Sequence, residues 1–281
     1  MVYANPLLPR PLLVENQLPF FVLWELFCII ERSMANPDMN FMGAIFRLLG
    51  GTAPGKIRPV NDLRSLSLSD IKHLLDFMYH CCFHPSTSEA DARKKNPRDD
   101  NSTSEMKDRE QNPRGQNCFR SYIKHLLNLR YHCCCHPSTS QKKNESKFIR
   151  CATELKEAGI KFKLVDGNTM FDIWFANGTL HIPQIRIGDY TEPFLRNLIA
   201  YEQLFLADTD LKLATDYMVF MDNLIDSPKD VEILCQHGII KNLLGDDKAV
   251  ATMINGLGVF IIISPSFYYT EVFNKINKHR K

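Results

Sequence analysis

The run Gly50-Gly51-Thr52-Ala53-Pro54-Gly55-Lys56 fits a phosphate-binding loop as far as its lysine. In such a loop the glycines let backbone N–H groups close round a phosphate, the lysine reaches the outer oxygens, and a following hydroxyl holds magnesium. Ile57 stands where that hydroxyl belongs, a helical pattern precedes the run where a strand is needed, and Arg58-Pro59 interrupts the helix that should follow. The residues therefore read as a plain Gly-Pro loop. A second set of reactive types is His80-Cys81-Cys82-Phe83-His84, which returns as His132-Cys133-Cys134-Cys135-His136. Thiolate and imidazole suit zinc, but zinc sites take their ligands in defined pairs such as Cys-x-x-Cys, and Pro85 and Pro137 end the helix where the second histidine would have to be held. The ordinary reading is a helix end with buried thiols. No Gly-x-Ser-x-Gly occurs, no cysteine sits in a recognisable catalytic frame, and Asp208, Asp210 and Asp216 fall near helix starts or on polar faces. Trp174 with His181 could line a pocket, and reads more simply as a cross-strand packing pair. These residues define no catalytic, cofactor-binding or metal site and call for no cofactor.

The elements that would position such side chains are mostly helical. Phe20 to Arg32 is apolar nearly all round, which predicts a helix buried deep in the domain or one waiting for a missing partner. Phe41 to Leu49 predicts a second helix, ended by Gly50-Gly51, and Ser67-Leu-Ser-Asp70 resembles a capping box opening a helix from Ile71 to Cys82. The segment Ile71 to Ser88 then recurs at Ile123 to Ser140, differing only at Asp76/Asn128, Phe77/Leu129, Met78/Arg130 and Phe83/Cys135. One repeated helix is too little for a solenoid, so this is a local duplication. Between the copies, Glu89 to Gln116 is dense in charge, Asn, Ser and Pro, the composition of a disordered or long surface segment.

The stretch from Cys151 to Phe205 is the organising one. Apolar residues at Phe148, Ile149, Ala152, Leu155 and Ala158 predict a helix over Ser146 to Ala158, stopped by Gly159; Ile160 to Val165 alternates as a strand. Asn177-Gly178 is the dipeptide of a two-residue type I′ turn. It pairs Ala176 with Thr179, puts Phe175 opposite Leu180 and Ile173 opposite Ile182 on one side, and leaves Trp174 beside His181 on the other. Thr191 reads as the N-cap of a helix carrying Phe194, Leu195, Leu198, Ile199 and Phe205. Beyond Phe205 the pattern is helical to the end: Asp210 to Ile225, then Val231 to His237 behind a Ser227–Asp230 cap and stopped at Gly238, then Ala249 to Leu257 behind Asp246-Asp247, then an amphipathic basic tail over Phe267 to Lys281. The expected class is mainly α (α+β), a helical domain with a small antiparallel hairpin sheet near residues 160–187. The expected division is 12–88 as an N-terminal helical part, 89–122 as a polar insert, and 123–281 as the duplicated helix, hairpin and C-terminal helices of the same domain.

With 34 basic and 32 acidic residues among 281, a net +2 gives no bulk electrostatic case for nucleic acid. Nine cysteines, five of them adjacent in two runs, fit a reducing compartment better than a disulfide framework. The N-terminus does not have the pattern of a signal peptide, and the apolar run Val259 to Ile263 is far short of the ~20 residues of a spanning helix. A cytoplasmic chain is expected.

Five motifs in order carry a resemblance: Glu15-Asn-Gln-Leu-Pro-Phe-Phe-Val22, Cys151 to Phe162, Leu180-His-Ile-Pro183, Leu195-Arg-Asn-Leu-Ile-Ala-Tyr-Glu-Gln203 and Phe220-Met-Asp-Asn-Leu-Ile225. Together they resemble the plant family called domain of unknown function 247, of the uncharacterised protein family 0481 type, over about Leu12 to His279. The resemblance implies no catalytic motif and a non-enzymatic recognition or signalling role with a protein partner; some relatives are linked to self-incompatibility. It also implies longer relatives, with more chain before the Glu15 motif and a C-terminal membrane helix that this sequence lacks. The alternative is an enzyme or small-ligand-binding protein whose site the sequence does not display, which predicts a concave pocket with converging polar groups.

Overall fold

An Asn-Gly turn fixes the register of the main sheet. Asn177 and Gly178 both lie at positive φ, 51° and 72°, so the strands β2 (Trp174–Ala176) and β3 (Thr179–Pro183) are joined by two residues and pair Ala176 with Thr179, Phe175 with Leu180 and Trp174 with His181. The computed structural model describes residues 18–30, 37–63, 67–83, 148–206, 212–259, 261–262 and 266–279, all within one compact unit drawn from 1–84 and 144–281. The second copy of the duplicated helix, the polar segment Glu89–Gln116, His84, Asp208 and Asp210 lie outside the described residues. Strand β1 (Lys161–Val165) joins the far side of β3 in parallel, Phe162 beside Leu180, so the sheet is mixed rather than purely antiparallel. The rest of the expected class holds: among the described residues nine α-helices surround two small sheets.

The second sheet was not foreseen. β4 (Ile185–Ile187) pairs in parallel with β5 (Ile240–Asn242), and Gly55 bridges Ile185 from the other side. Three residues Ile-Lys-Asn carry too short an alternation to stand out, so the segment after Phe205 is not helical throughout.

The helices follow the apolar stripes, with boundaries corrected by long-range contacts. α1 (Phe20–Ile30) and α2 (Pro37–Leu49) meet through Phe20 and Phe41, whose ring centroids are 5.1 Å apart, and Trp24 and Phe27 also close on Phe41. The Ser67/Asp70 capping box is present, but it caps a 3-10 turn, Leu68–Asp70; α3 (Leu74–Phe83) starts only after His73. The reason lies elsewhere in the chain: His73 forms an antiparallel bridge with Pro19, and the Lys72 carbonyl accepts the Phe20 N–H at 2.7 Å, which holds the segment extended. α4 (Ala152–Glu157) is shorter than expected because residues 148–150 stay non-helical and the chain turns in at Cys151, where the Thr153 N–H and hydroxyl both reach the Asp230 carboxylate at 2.8 Å. Gly159 ends it at φ 84°.

α5 (Thr191–Phe205) begins at Thr191 itself. Its hydroxyl does not cap the helix; it accepts from Gly188 N–H and donates to the Arg186 carbonyl. α6 (Leu213–Leu224), α7 (Pro228–Gln236), α8 (Asp247–Gly258) and α9 (Thr270–His279) complete the fold. Ser227 and Asp230 form the foreseen box on α7, and the Asp246 carboxylate accepts from Lys248 N–H at the head of α8. α9 buries Phe273 and Ile276, with Phe273 against Phe220, while His279 closes on Phe175 of the hairpin. The core is continuous from Phe20 and Phe77 through Leu180 and Ile182 to Tyr217 and Phe273.

Candidate functional site

The phosphate-loop residues are spent on packing. Gly50–Thr52 is a 3-10 turn running on from α2, and Thr52 donates its hydroxyl to the Leu49 carbonyl at 2.6 Å. A Cβ on Gly55 would stand 2.5 Å from Met170 Cβ, so that glycine answers to a neighbouring side chain. Lys56 pairs with Asp166 at 2.9 Å on the surface, a contact worth at most about 1 kcal/mol. The two border an open cleft of about 340 Å³ with Gly167 and Arg186, and Arg186 is itself tied to the Ala53 carbonyl.

The thiols of Cys81 and Cys82 are buried. Burial pushes Cys81 up to about 12 and Cys82 well above its ordinary value, so neither is a thiolate at neutral pH. Among the described residues no three of His, Cys, Asp and Glu converge as metal ligands. Cys133, Cys134, Cys135, His132 and His136 lie outside them. Trp174 stacks on His181 at 5.0 Å and 6° on the outer face of the sheet, as a packing pair.

Sequence reasoning missed the buried ionisable side chains. Asp76 on α3 accepts from Lys72 N–H at 2.7 Å and from the Tyr201 hydroxyl of α5, with His80 Nε2 3.5 Å away. The Asp76 N–H donates to His73 Nδ1 at 3.1 Å. An accepting Nδ1 on a neutral ring places the proton on Nε2, which is buried without a hydrogen-bond partner and faces the rings of Tyr201 and Phe205 edge-on. Burial lowers His73 to about 4, against the pull of the neighbouring Asp76 charge and with a small push from Lys72. Beside this group, Glu202 of α5 is fully buried. It accepts from Tyr79 hydroxyl, Ala214 N–H and Thr215 N–H, each at 2.8 Å, and from Thr215 hydroxyl at 2.7 Å. Burial raises its pKa, and those four bonds hold it back. Burial likewise raises the Tyr79 and Tyr201 phenols.

This cluster staples three helices together. Glu202 supplies from α5 the cap that α6 lacks locally, and Asp76 ties α3 to α5. In a Ser-His-Asp triad the histidine donates Nδ1–H to a carboxylate, whereas His73 Nδ1 accepts from a backbone amide. Three open clefts among the described residues, beside Lys56, between Asp189 and Asp246, and between Thr153 and Lys229, have no member of the cluster in their lining. Asp216 lies in the first turn of α6, near a helix start as expected, yet it is fully buried rather than solvated and accepts from Tyr268 N–H at 2.7 Å. One signal for Glu202 and Asp76 was present, since a charged residue in the apolar stripe of a helix must find partners inside.

Among the described residues, α1 carries a set of exposed apolar side chains. Phe20, Leu23, Trp24 and Phe27 turn inward. Leu18, just before the helix, and Phe21, Leu26 and Ile29 on its opposite side are 56%, 60%, 51% and 60% exposed, with Glu25 the charged residue among them. The helix expected to be buried deep or waiting for a partner is packed on one face and exposed on the other.

A small mixed sheet enclosed by helices is the architecture in hand, and the comparisons place it. The sequence profile of the plant family domain of unknown function 247, described as "Plant protein of unknown function", matches residues 11–281, and the chain belongs to that family. A UPF0481 protein of Arabidopsis thaliana is 26% identical over 274 residues, covering 96% of this chain and 50% of the relative. A putative UPF0481 protein of the same plant is 28% identical over 138 residues, covering 48% of this chain and 26% of the relative. The chain thus spans half or less of the length of these relatives. No solved structure matches it. No helix among the described residues is long and apolar enough to cross a membrane.

Proposed function

We propose that the chain is a non-enzymatic protein-interaction or signalling module, and that it makes contact through the outward face of α1. The observation that supports this is the apolar stripe Leu18, Phe21, Leu26 and Ile29 on a helix whose other side is already seated in the core. Contiguous exposed apolar residues of this kind mark contact sites more often than scattered ones do. At roughly 100 Å² apiece, covering them removes about 400 Å² from water, or about 10 kcal/mol gross before the costs of association. The buried carboxylates and the histidine support the non-enzymatic reading, because each is engaged in holding helices together. A recognition role also suits the self-incompatibility link that the family resemblance implies, and a cytoplasmic location for this chain belongs to the same proposal.

A photoreactive residue placed at Ile29, with a second at exposed Leu243 as control, tests the reading in plant extract. One identified protein should cross-link from position 29 and be lost on Phe21→Asp. The same products from both positions, or none from position 29, would overturn it.

A further inference from the structure

We infer that the α1 face is shaped for an amphipathic helix that brings one lysine or arginine opposite Glu25. The inference rests on the reading of α1 as the contact face and adds the chemistry of what covers it. From Phe21 to Ile29 the stripe runs ~12 Å along α1 at 1.5 Å per residue, a little over two helical turns, and Leu18 extends it from the segment just before the helix, which is a footprint for a helix laid along it. Leu18, Phe21, Glu25 and Ile29 follow the three-and-four spacing by which one helix meets another, with Leu26 beside them, so Glu25 itself occupies a seam position. Glu25 sits within that stripe, is exposed, and has no ion-pair partner among the described residues.

An unpaired carboxylate in a contact that excludes water selects its partner by charge. Covered by a wholly apolar helix, it would lose hydration without replacement. Covered by a second copy of α1, it would meet its own kind: in an antiparallel pair centred on the helical stripe Phe21–Ile29, at residue 25, the two Glu25 positions fall level along the axis. Like charges so placed are a device against self-pairing, and a cation on the partner restores the balance. One polar position in an apolar seam also fixes register, as a buried polar residue does in coiled coils.

Two synthetic helical peptides test this, each with leucines at three-and-four spacing and a single central residue, lysine in one and glutamate in the other. Binding is followed by fluorescence anisotropy against the whole chain. The lysine peptide should bind about tenfold or more tightly than its twin, and Glu25→Lys should invert the order, with both effects weakening in high salt. Ile29→Asp should abolish binding of either peptide while leaving the melting temperature in place. Equal binding of both peptides, lost on Ile29→Asp, would overturn the charge assignment and leave the contact face standing. Binding of neither peptide, or binding unaffected by Ile29→Asp, would overturn both. A concentration-dependent dimer that dissociates on Ile29→Asp would identify a second copy as the occupant and refute the basic partner.

Discussion

Acid should unfold this chain partly through His73. The imidazole has an ordinary pKa of 6.5, and in the fold it is lowered to about 4, because burial disfavours the cation and Nδ1 is already accepting the Asp76 N–H. A depressed histidine pKa means that the unfolded chain takes up the proton first. Its contribution to stability is therefore intact above pH 6.5 and is lost as pH falls from 6.5 towards 4. At 1.36 kcal/mol per pH unit, the loss comes to about 2 kcal/mol at pH 5 and about 3 kcal/mol at pH 4. Glu202 works in the opposite sense, since a raised carboxyl pKa adds stability as pH falls below its folded value, so the bare pH profile mixes the two. The comparison with His73→Gln isolates the histidine: the amide oxygen can accept the Asp76 N–H, the side chain does not titrate, and Glu202 is common to both proteins. Urea unfolding followed by tryptophan fluorescence at pH 7, 6, 5 and 4 should show the native protein losing about 2 kcal/mol more than His73→Gln by pH 5. Parallel stability curves for the two proteins would refute the reasoning, because they would mean that His73 carries the same charge folded and unfolded.

Glu202→Ala strands the Ala214 and Thr215 N–H groups at the head of α6 and the Tyr79 hydroxyl, and should cost about 3 kcal/mol, with faster amide exchange at Ala214 and Thr215 as the local sign. Gly178→Ala should cost about 1–2 kcal/mol, because the residue sits at φ 72° and its new Cβ would stand 2.9 Å from His279 Nε2; His279→Ala should recover part of that loss in a double-mutant cycle. Asp230→Ala removes both the α7 capping box and the two Thr153 contacts, so its cost, about 2 kcal/mol, should exceed that of Thr153→Ala, measured in the same urea titration.

What the sequence displayed was what neighbouring residues decide. The hairpin was legible because turn chemistry and alternation agree within ten residues, and the register holds at Ala176–Thr179, Phe175–Leu180 and Trp174–His181, while Ile173, expected opposite Ile182, lies just before β2. The Ser227–Asp230 box and the stops at Gly159 and Gly238 are equally local. The start of α3 was misread because the Pro19–His73 bridge, made by a segment more than fifty residues earlier, holds the chain extended there. β5 was invisible since Ile240-Lys241-Asn242 gains its strand character only by lying beside Ile185–Ile187. The same holds for the buried cluster. Asp76 and Tyr79 stand more than 120 residues before Tyr201 and Glu202 and meet them only after α3 has packed on α5. The apolar circumference of α1 was plain from composition; which half faces out required the positions of Phe41 and Phe77.

The account turns on the outward half of α1 being surface that the folded chain itself does not need. Its most direct test is the urea midpoint of the double variant Phe21→Asp/Ile29→Asp at pH 7. If these side chains face solvent, stability should stay within about 1 kcal/mol of the unsubstituted protein. A loss of about 4 kcal/mol or more, the signature of charge forced into a packed interior, would show that the face is already covered and contradict the account.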